Sequence, residues 1–557
     1  FGSQLQLWNH PIVPRDGLRP RIPADHLHLR HDLWHVRGRH ATGPAMLVAI
    51  ILILLVLVVA GAILADRLAP KASGEPSRTL PIQPDATPLD RAVAPLLAAH
   101  PDLSGAVMLN DGPTAFASRA LCTRDAGRSL DLQYYMWHDD LCGRLLAREV
   151  ARAADRGVRV RMLLDDMNAY GLDQQMLALD AHPNIEIRVY NPFRNRSGLW
   201  RLLETVVRAL RINHRMHNKS WIADGRIAIV GGRNIGEEYF NAASGTNFRD
   251  LDVLLMGPVV ADAEGIFDRY WNSDTVVPLK ALGNQDPERM RQLRDDVRGE
   301  STSDRAREYL AQVESARGVE AFLKGQRHLA WVDKIEVVAG PPAKWRRDDR
   351  GEWLVRRLVD AIGTATTRAW LISPYFVPGK HGTRQLLDLA RKGVDVRVVT
   401  NSLAANDVPA VHAGYARYRK PLLEGGVKLY ELRAQGHPGS AGLFGSSGAS
   451  LHTKAFVIDG HDGFIGSFNL DMRSATLNTE MGVLFDDAEL GKSLEDEFRR
   501  LADPALSYTV RLDANGKLRW EDAVRQPPAI LEREPDATLA RRVIAKVLRW
   551  LPIETQL

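Results

Sequence analysis

Hydrophobic and polar positions follow three patterns along the chain. Residues Ala41 to Ala65 carry no charge, and their centre, Met46 to Val59, is almost purely aliphatic. A helix needs about 20 apolar residues to cross a bilayer, so residues 44–66 predict a transmembrane helix, lacking the polar edge that a buried core helix keeps. Pro70, Pro76, Pro81, Pro84, Pro88 and Pro95 then mark an extended linker over residues 67–95. Beyond it, Leu130–Tyr135 and Val158–Leu164 read as strands. Between them Leu141, Leu145, Leu146, Val150 and Ala153 line one face of a helix, and Arg156-Gly157 makes the turn. The same succession returns as Ala369–Tyr375, a helix carrying Leu386, Leu387 and Ala390, a Lys392-Gly393 turn, and Val394–Val399. Strand, helix, strand in each half implies right-handed parallel crossovers. The expected fold is therefore α/β, two lobes related by a pseudo-twofold axis within one duplicated chain.

The expected boundaries are lobe one at 96–285, a charged helical connector at 286–345, lobe two at 346–505 and a tail at 506–557. In the tail, Leu539, Val543, Val547 and Leu551 fall on one side of a helix and Arg541, Arg542, Lys546 and Arg549 on the other, a candidate interfacial helix.

At 557 residues the chain exceeds one ordinary core, and its net charge of +5 is compatible with anionic lipid or nucleic acid without separating them. Cys122 and Cys142 read as unpaired structural thiols. Residues 1–43 read as disordered or not native, since the first methionine is Met46. His26, His28, His31 and His35 lie there without a scaffold, and no metal site is assigned to them. If the segment is native, Arg30, Arg37 and Arg39 hold the N-terminus in the cytoplasm and send the rest across. A cleaved signal ending near Ala60-Gly61-Ala62 is the alternative.

The chemistry lies in the next element of each half. His217, Lys219 and Asp224 precede Gly231, Gly232 and Asn234; His452, Lys454 and Asp459 precede Gly466, Ser467 and Asn469. Histidine, lysine, aspartate, glycine and asparagine all recur at an offset of 235 (452 − 217 = 469 − 234 = 235). In a strand, residues two apart face one side, so each His and Lys should point together. Asp224 and Asp459, seven positions on, should face away and tie the strand to its surroundings.

These strings resemble the paired HKD motifs of the phospholipase D superfamily over residues 100–505. Arg215–Ser220, Ile229–Phe240 and Gly466–Ser474 with Asn478-Thr-Glu480 look more specifically like bacterial cardiolipin synthases of the C-type branch. The resemblance implies a catalytic set of His217, Lys219, Asp224, His452, Lys454 and Asp459, and no metal or other cofactor. One histidine attacks phosphorus and the other serves the leaving and entering alcohols. His217 is expected as nucleophile and His452 as acid/base. Asn234, Asn469 and Ser467 are expected on the substrate phosphate; the first half has Gly232 where the second has Ser467. Carboxylates should orient the histidines, Glu480 within half two and Asp250 within half one, with Asp252 as its alternative.

The expected partners are the bilayer and its phospholipids, phosphatidylglycerol and phosphatidylethanolamine among them, with no nucleic acid. The expected location is the bacterial inner membrane, with the catalytic part on the periplasmic side. Phosphatidyl transfer competes with hydrolysis at the same site, and with a catalytically dead scaffold that the two intact motifs argue against. Tyr134, Tyr135, Trp137, Tyr375 and Phe376 divide between cleft and core. Asp165 and Asp166 read as a polar rim, and the glycine-rich stretch 436–450 as a loop that moves over the site.

Overall fold

The computed structural model describes residues 74–169, 173–193, 213–283, 302–316, 328–344, 353–434 and 450–551, with scattered positions in 46–61, 204 and 288–299. Segments 1–43 and 436–449 and most of the apolar run lie outside the described residues. Among those described, Met46, Val48, Ile50 and Leu52 are helical and exposed, and no helix is long and apolar enough to cross a membrane. Residues up to Ala60 form one compact unit and Gly61–Leu557 a second.

Its strands in chain order are β1 (Ser104–Leu109), β2 (Ser129–Tyr134), β3 (Arg159–Asp165), β4 (Ile185–Tyr190), β5 (Ser220–Ala223), β6 (Ile227–Gly231), β7 (Phe248–Arg249), β8 (Asp252–Met256), β9 (Val276–Pro278) and β10 (Ala330–Val332). They continue with β11 (Lys334–Ala339), β12 (Arg368–Ile372), β13 (Asp395–Asn401), β14 (Lys428–Leu432), β15 (Ser450–Leu451), β16 (Lys454–Ile458), β17 (Asp462–Gly466), β18 (Met481–Asp486), β19 (Ser507–Leu512), β20 (Leu518–Asp522) and β21 (Ala529–Leu531). One sheet runs β10-β1-β8-β6-β5-β2-β3-β4-β9 and the other β11-β18-β17-β16-β12-β13-β14-β19-β20-β21.

The repeat is visible in the ladders. β2 pairs parallel with β3 across the helix Leu141–Asp155, as β12 does with β13 across Gly379–Arg391. The motif hairpins β5–β6 and β16–β17 are antiparallel additions to β2 and β12. Central strands buried on both faces need no alternation, which is why β2 is buried at every position. One apolar cluster joins the lobes. It takes Ile222, Val230 and Leu255 from the first sheet, Ile372, Ala455 and Val483 from the second, and Phe267 and Phe498 from the helices Val260–Trp271 and Ala488–Ala502. Two further clusters fill the outer faces.

Three of the expected segment boundaries shift. The helix Pro88–Ala99 begins inside the expected linker and buries Leu89 and Val93 in the core. β10 and β11 lie inside the expected connector yet close an edge of each sheet, β10 on β1 and β11 on β18. β19 to β21 lie inside the expected tail yet extend the second sheet, because β19 pairs with β14. Cys122 and Cys142 are free and buried. Asp165 and Asp166 are interior, not a rim: Asp165 accepts from the Met216 amide and Asp166 from the Phe193 amide, so burial is offset by backbone donors.

Candidate active site

The two motif histidines sit just ahead of their strands, at residues 217 and 452, where each half reaches across to the other. β7 pairs parallel with β15, and Met216 bridges Thr479. Through these contacts the His217 amide donates to the Thr479 carbonyl at 2.9 Å and the His452 amide donates to the Arg249 carbonyl at 2.8 Å. The residues that follow those carbonyls are Glu480 and Asp250. Each carboxylate therefore meets the histidine of the opposite half: His217 Nδ1 lies 2.8 Å from Glu480 Oε2, and His452 Nδ1 lies 2.5 Å from Asp250 Oδ2. The expected pairing within each half is corrected to a crossed one, and the cause is the backbone register between the lobes. Asp252, the alternative, is committed to Arg119 and Arg233.

The two carboxylates differ in length, and the residue behind each compensates. A Cβ on Gly232 would come within 2.2 Å of Asp250 Oδ1. At the matching position Ser467 donates to Glu480 Oε2 and accepts from the Met481 amide at 3.0 Å. Ser467 is thus spent on positioning Glu480, and its expected place on the substrate phosphate is withdrawn. Asn234 is also engaged: its Nδ2 donates to the Tyr239 hydroxyl at 2.8 Å and its Oδ1 accepts from the Met136 amide. Asn469, its counterpart, keeps a buried Oδ1 with no hydrogen-bond partner among the described residues, so only one of the two asparagines has spare capacity for a ligand.

Asp224 and Asp459 stand at the far ends of β5 and β16, in Asp-Gly hairpin turns with φ of 54° and 52°, followed by Gly225 and Gly460 also at positive φ. Type I′ turns require this at both central residues. Asp224 accepts from the amides of Gly127, Arg128 and Ser129, and Asp459 from those of Thr366, Thr367 and Arg368. Their expected membership of the catalytic set is corrected: both lock the motif hairpin to the strand beside it. Lys219 and Lys454 are buried beside the histidines, each donating to the carbonyl of its own motif histidine.

Comparison with known proteins finds the same duplication. The family model described as "Cardiolipin synthase, PLD-like domain" matches residues 123–271 and 358–502, one copy per half. The chain is 43% identical to Cardiolipin synthase C of Escherichia coli (strain K12) across 84% of its length and 99% of that protein. It is 26% identical to a cardiolipin synthase of Staphylococcus aureus (strain Mu50), covering 70% of this chain and 65% of that one. The chain belongs to the phospholipase D superfamily, in its cardiolipin synthase family. A crystal structure of phosphatidylserine synthase from Haemophilus influenzae shares the fold at a TM-score of 0.53 and 14% identity, over 84% of this chain and all of the other.

In this phospholipase D-type enzyme burial governs the electrostatics. It pushes both imidazoles down to about 4. Glu480 opposes this at His217, while Lys454 reinforces it at His452 and Asp250 opposes it there. Burial likewise pushes Lys219 down to about 7 and Lys454 to about 8, partly offset by Glu480 and Asp250. Glu480 and Asp250 stay ionised, because the neighbouring histidines and lysines outweigh the burial that would protonate them. At neutral pH each histidine is a neutral ring fixed through Nδ1, and among the described residues neither Nε2 has a hydrogen-bond partner. That is the tautomer a nucleophile or proton acceptor requires.

Three ring neighbours complete the site. Tyr135 stands edge-on to His217 at 5.1 Å; Tyr239 stands edge-on to His452 at 5.3 Å, with Phe248 beside it at 5.2 Å. Tyr239 and Phe248 are not singled out by the sequence; their only signal is position, inside or just after the string Ile229–Phe240. Tyr134 and Trp137 belong to the core, and Tyr375 donates to Asp407. Among the described residues, the two clusters with metal-like spacing, His138/Asp140/Glu238 and His461/Asp462/Asp486, contain no motif residue.

Proposed function

We propose that the enzyme moves a phosphatidyl group between alcohols through a phosphohistidine on His217, with phosphatidylglycerol as donor and a second phospholipid headgroup as acceptor. The observation that supports it is the crossed pair of buried imidazoles, each fixed through Nδ1 by a carboxylate and, among the described residues, each without an Nε2 partner. His217 Nε2 attacks phosphorus, and the P–O bond to the departing glycerol breaks as that oxygen takes a proton from His452. The acceptor hydroxyl then returns a proton to His452 and attacks phosphorus, and the P–N bond breaks. In the free enzyme His452 is neutral near pH 7, so the proton must be stabilised by the substrate's own phosphate charge. Lys219 and Lys454 balance the non-bridging oxygens, and Asn469 has a spare amide oxygen for a hydroxyl. With two lysines doing this work, activity should persist in excess EDTA; loss restored by one divalent ion would refute that point.

The setting proposed is a bacterial inner membrane, with residues 44–66 as anchor and the catalytic body on the periplasmic side. The composition of that segment supports the anchor. Names of relatives support phospholipid substrates. Mass spectrometry of lipids after incubation with phosphatidylglycerol, with and without phosphatidylethanolamine, tests the reading. Diphosphatidylglycerol is expected; phosphatidic acid alone would mean hydrolysis instead.

A further inference from the structure

The C-terminal helix Leu539–Leu548 is docked the opposite way round from an ordinary surface helix. Its attachment is polar and small. Arg541 is buried and donates from Nη1 to the Ala404 carbonyl at 2.9 Å and from Nη2 to the Asn406 carbonyl at 2.7 Å; Ala545 packs beside it. At the far end Arg417 donates to the carbonyls of Arg549 and Leu551, tying down the last turn. The apolar side faces out. Leu539 is 75% exposed and Trp550 83%, with Val543, Val547 and Leu551 exposed between and beyond them. At 100° per residue these five span one stripe. Lys546 and Arg549 are exposed along one border of that stripe, not opposite it as the sequence suggests, while Arg541 and the half-buried Arg542, which donates from Nη2 to the Glu534 carbonyl at 2.9 Å, take the protein side.

Exposed Leu, Val and Trp beside the two cations Lys546 and Arg549 have two requirements, an apolar layer of shallow depth and negative charge at its edge. A folded protein surface supplies both only by special design, whereas an anionic lipid surface supplies both everywhere. Trp550 at the end of the stripe suits the headgroup level.

The helix is also tied to the reacting centre. The loop that Arg541 grips, Leu403–Asp407, accepts a hydrogen bond from Ser450 at Ala405, two residues before His452. It ends in Asp407, which takes the Tyr375 hydroxyl and whose charge acts on Lys454. We infer that the Leu539–Leu551 face is an interfacial docking surface for anionic phospholipid, seating the second lobe's half-site against the bilayer independently of the N-terminal segment. The inference rests on the proposed phospholipid chemistry only for its kinetic consequence.

The test uses the full chain. Cys122 and Cys142 are buried, so Val547→Cys accepts a polarity-sensitive fluorophore selectively, and Asn515→Cys, on an exposed turn, serves as control. In vesicles of phosphatidylcholine containing phosphatidylglycerol, the Val547→Cys label should shift to the blue and be quenched by lipids bearing a shallow nitroxide. Both effects should weaken in phosphatidylcholine alone, while the control stays unchanged. A label that remains solvent-like in phosphatidylglycerol vesicles would overturn the proposal. So would a shift that appears without lipid and grows with protein concentration, which would mean a second copy covers the face. In the double variant Val543→Glu/Val547→Glu, turnover on vesicles should fall about tenfold or more while turnover of a short-chain, monomeric phosphatidylglycerol is retained. Equal loss on both substrates would also overturn it. If the enzyme proves inactive as a transferase but the label still inserts, the docking surface stands and the chemistry fails.

Discussion

At the residue scale the site is a balance of two lysines, two carboxylates and two neutral imidazoles, and burial sets how close each stands to titration. Lys219 at about 7 and Lys454 at about 8 are charged below those values and lose charge above them, so affinity for the anionic phosphodiester is present at lower pH and declines as pH rises. KM for the donor lipid should therefore climb across about pH 7 to 8 while the histidines, at about 4, stay neutral throughout; a flat KM over that window would refute the lysine assignment. Asp224 carries the opposite kind of prediction. It accepts from three backbone amides, of which that of Ser129 is buried, and Asp224→Ala should cost about 1–3 kcal/mol of stability, the cost of one orphaned buried donor. Thermal unfolding should register that loss, with kcat well below the transition falling no more than severalfold. A large fall in kcat at unchanged stability would return Asp224 to the reacting set.

At the scale of elements, the crossed contacts depend on short pieces of backbone that periodicity does not reveal. Strand β2, the helix Leu141–Asp155 and strand β3 are legible because apolar spacing marks them, and the offset of 235 exposes the duplication and both motifs. The partner of each histidine is not legible. Asp250 and Glu480 each follow a residue whose carbonyl pairs with the other half, at β7–β15 and Met216–Thr479, bridges of one or two residues with no pattern of their own. Ser467 reads as a ligand-facing hydroxyl because its contact with Glu480 exists only after folding. The positive-φ turns are legible in principle, since Asp224-Gly225 and Asp459-Gly460 are hairpin signatures. A double-mutant cycle tests the crossing. Glu480→Gln should lower kcat about 10²-fold or more by releasing the ring of His217, as loss of an orienting carboxylate does elsewhere. It should add little to His217→Ala. Coupling of Glu480 to His452 in place of His217 would contradict the geometry.

At the scale of the whole molecule, duplication supplies two half-sites and the cluster around Ile222, Ile372 and Phe498 joins them, with each histidine fixed by the carboxylate of the opposite half. The halves are not equivalent. Gly232 stands where the second half has Ser467, Asn234 is hydrogen-bonded where Asn469 keeps an Oδ1 without a partner among the described residues, and Tyr135 is beside one histidine where Tyr239 and Phe248 are beside the other. Such asymmetry suits two imidazoles with different tasks. Removal of residues 1–68 should free the protein from membranes in high salt while leaving it bound to anionic vesicles at low salt; binding that resists both treatments would argue against residues 44–66 as the principal anchor. In the proposed reaction His217 carries the phosphatidyl group while His452 handles protons. Incubation with a radiolabelled phosphatidyl donor, quenched and mapped by peptide, tests it directly. Acid-labile, base-stable label should appear on His217, accumulate in His452→Ala because no base activates the acceptor, and be absent in His217→Ala. Label on His452, lost when His452 is replaced, would contradict the assignment.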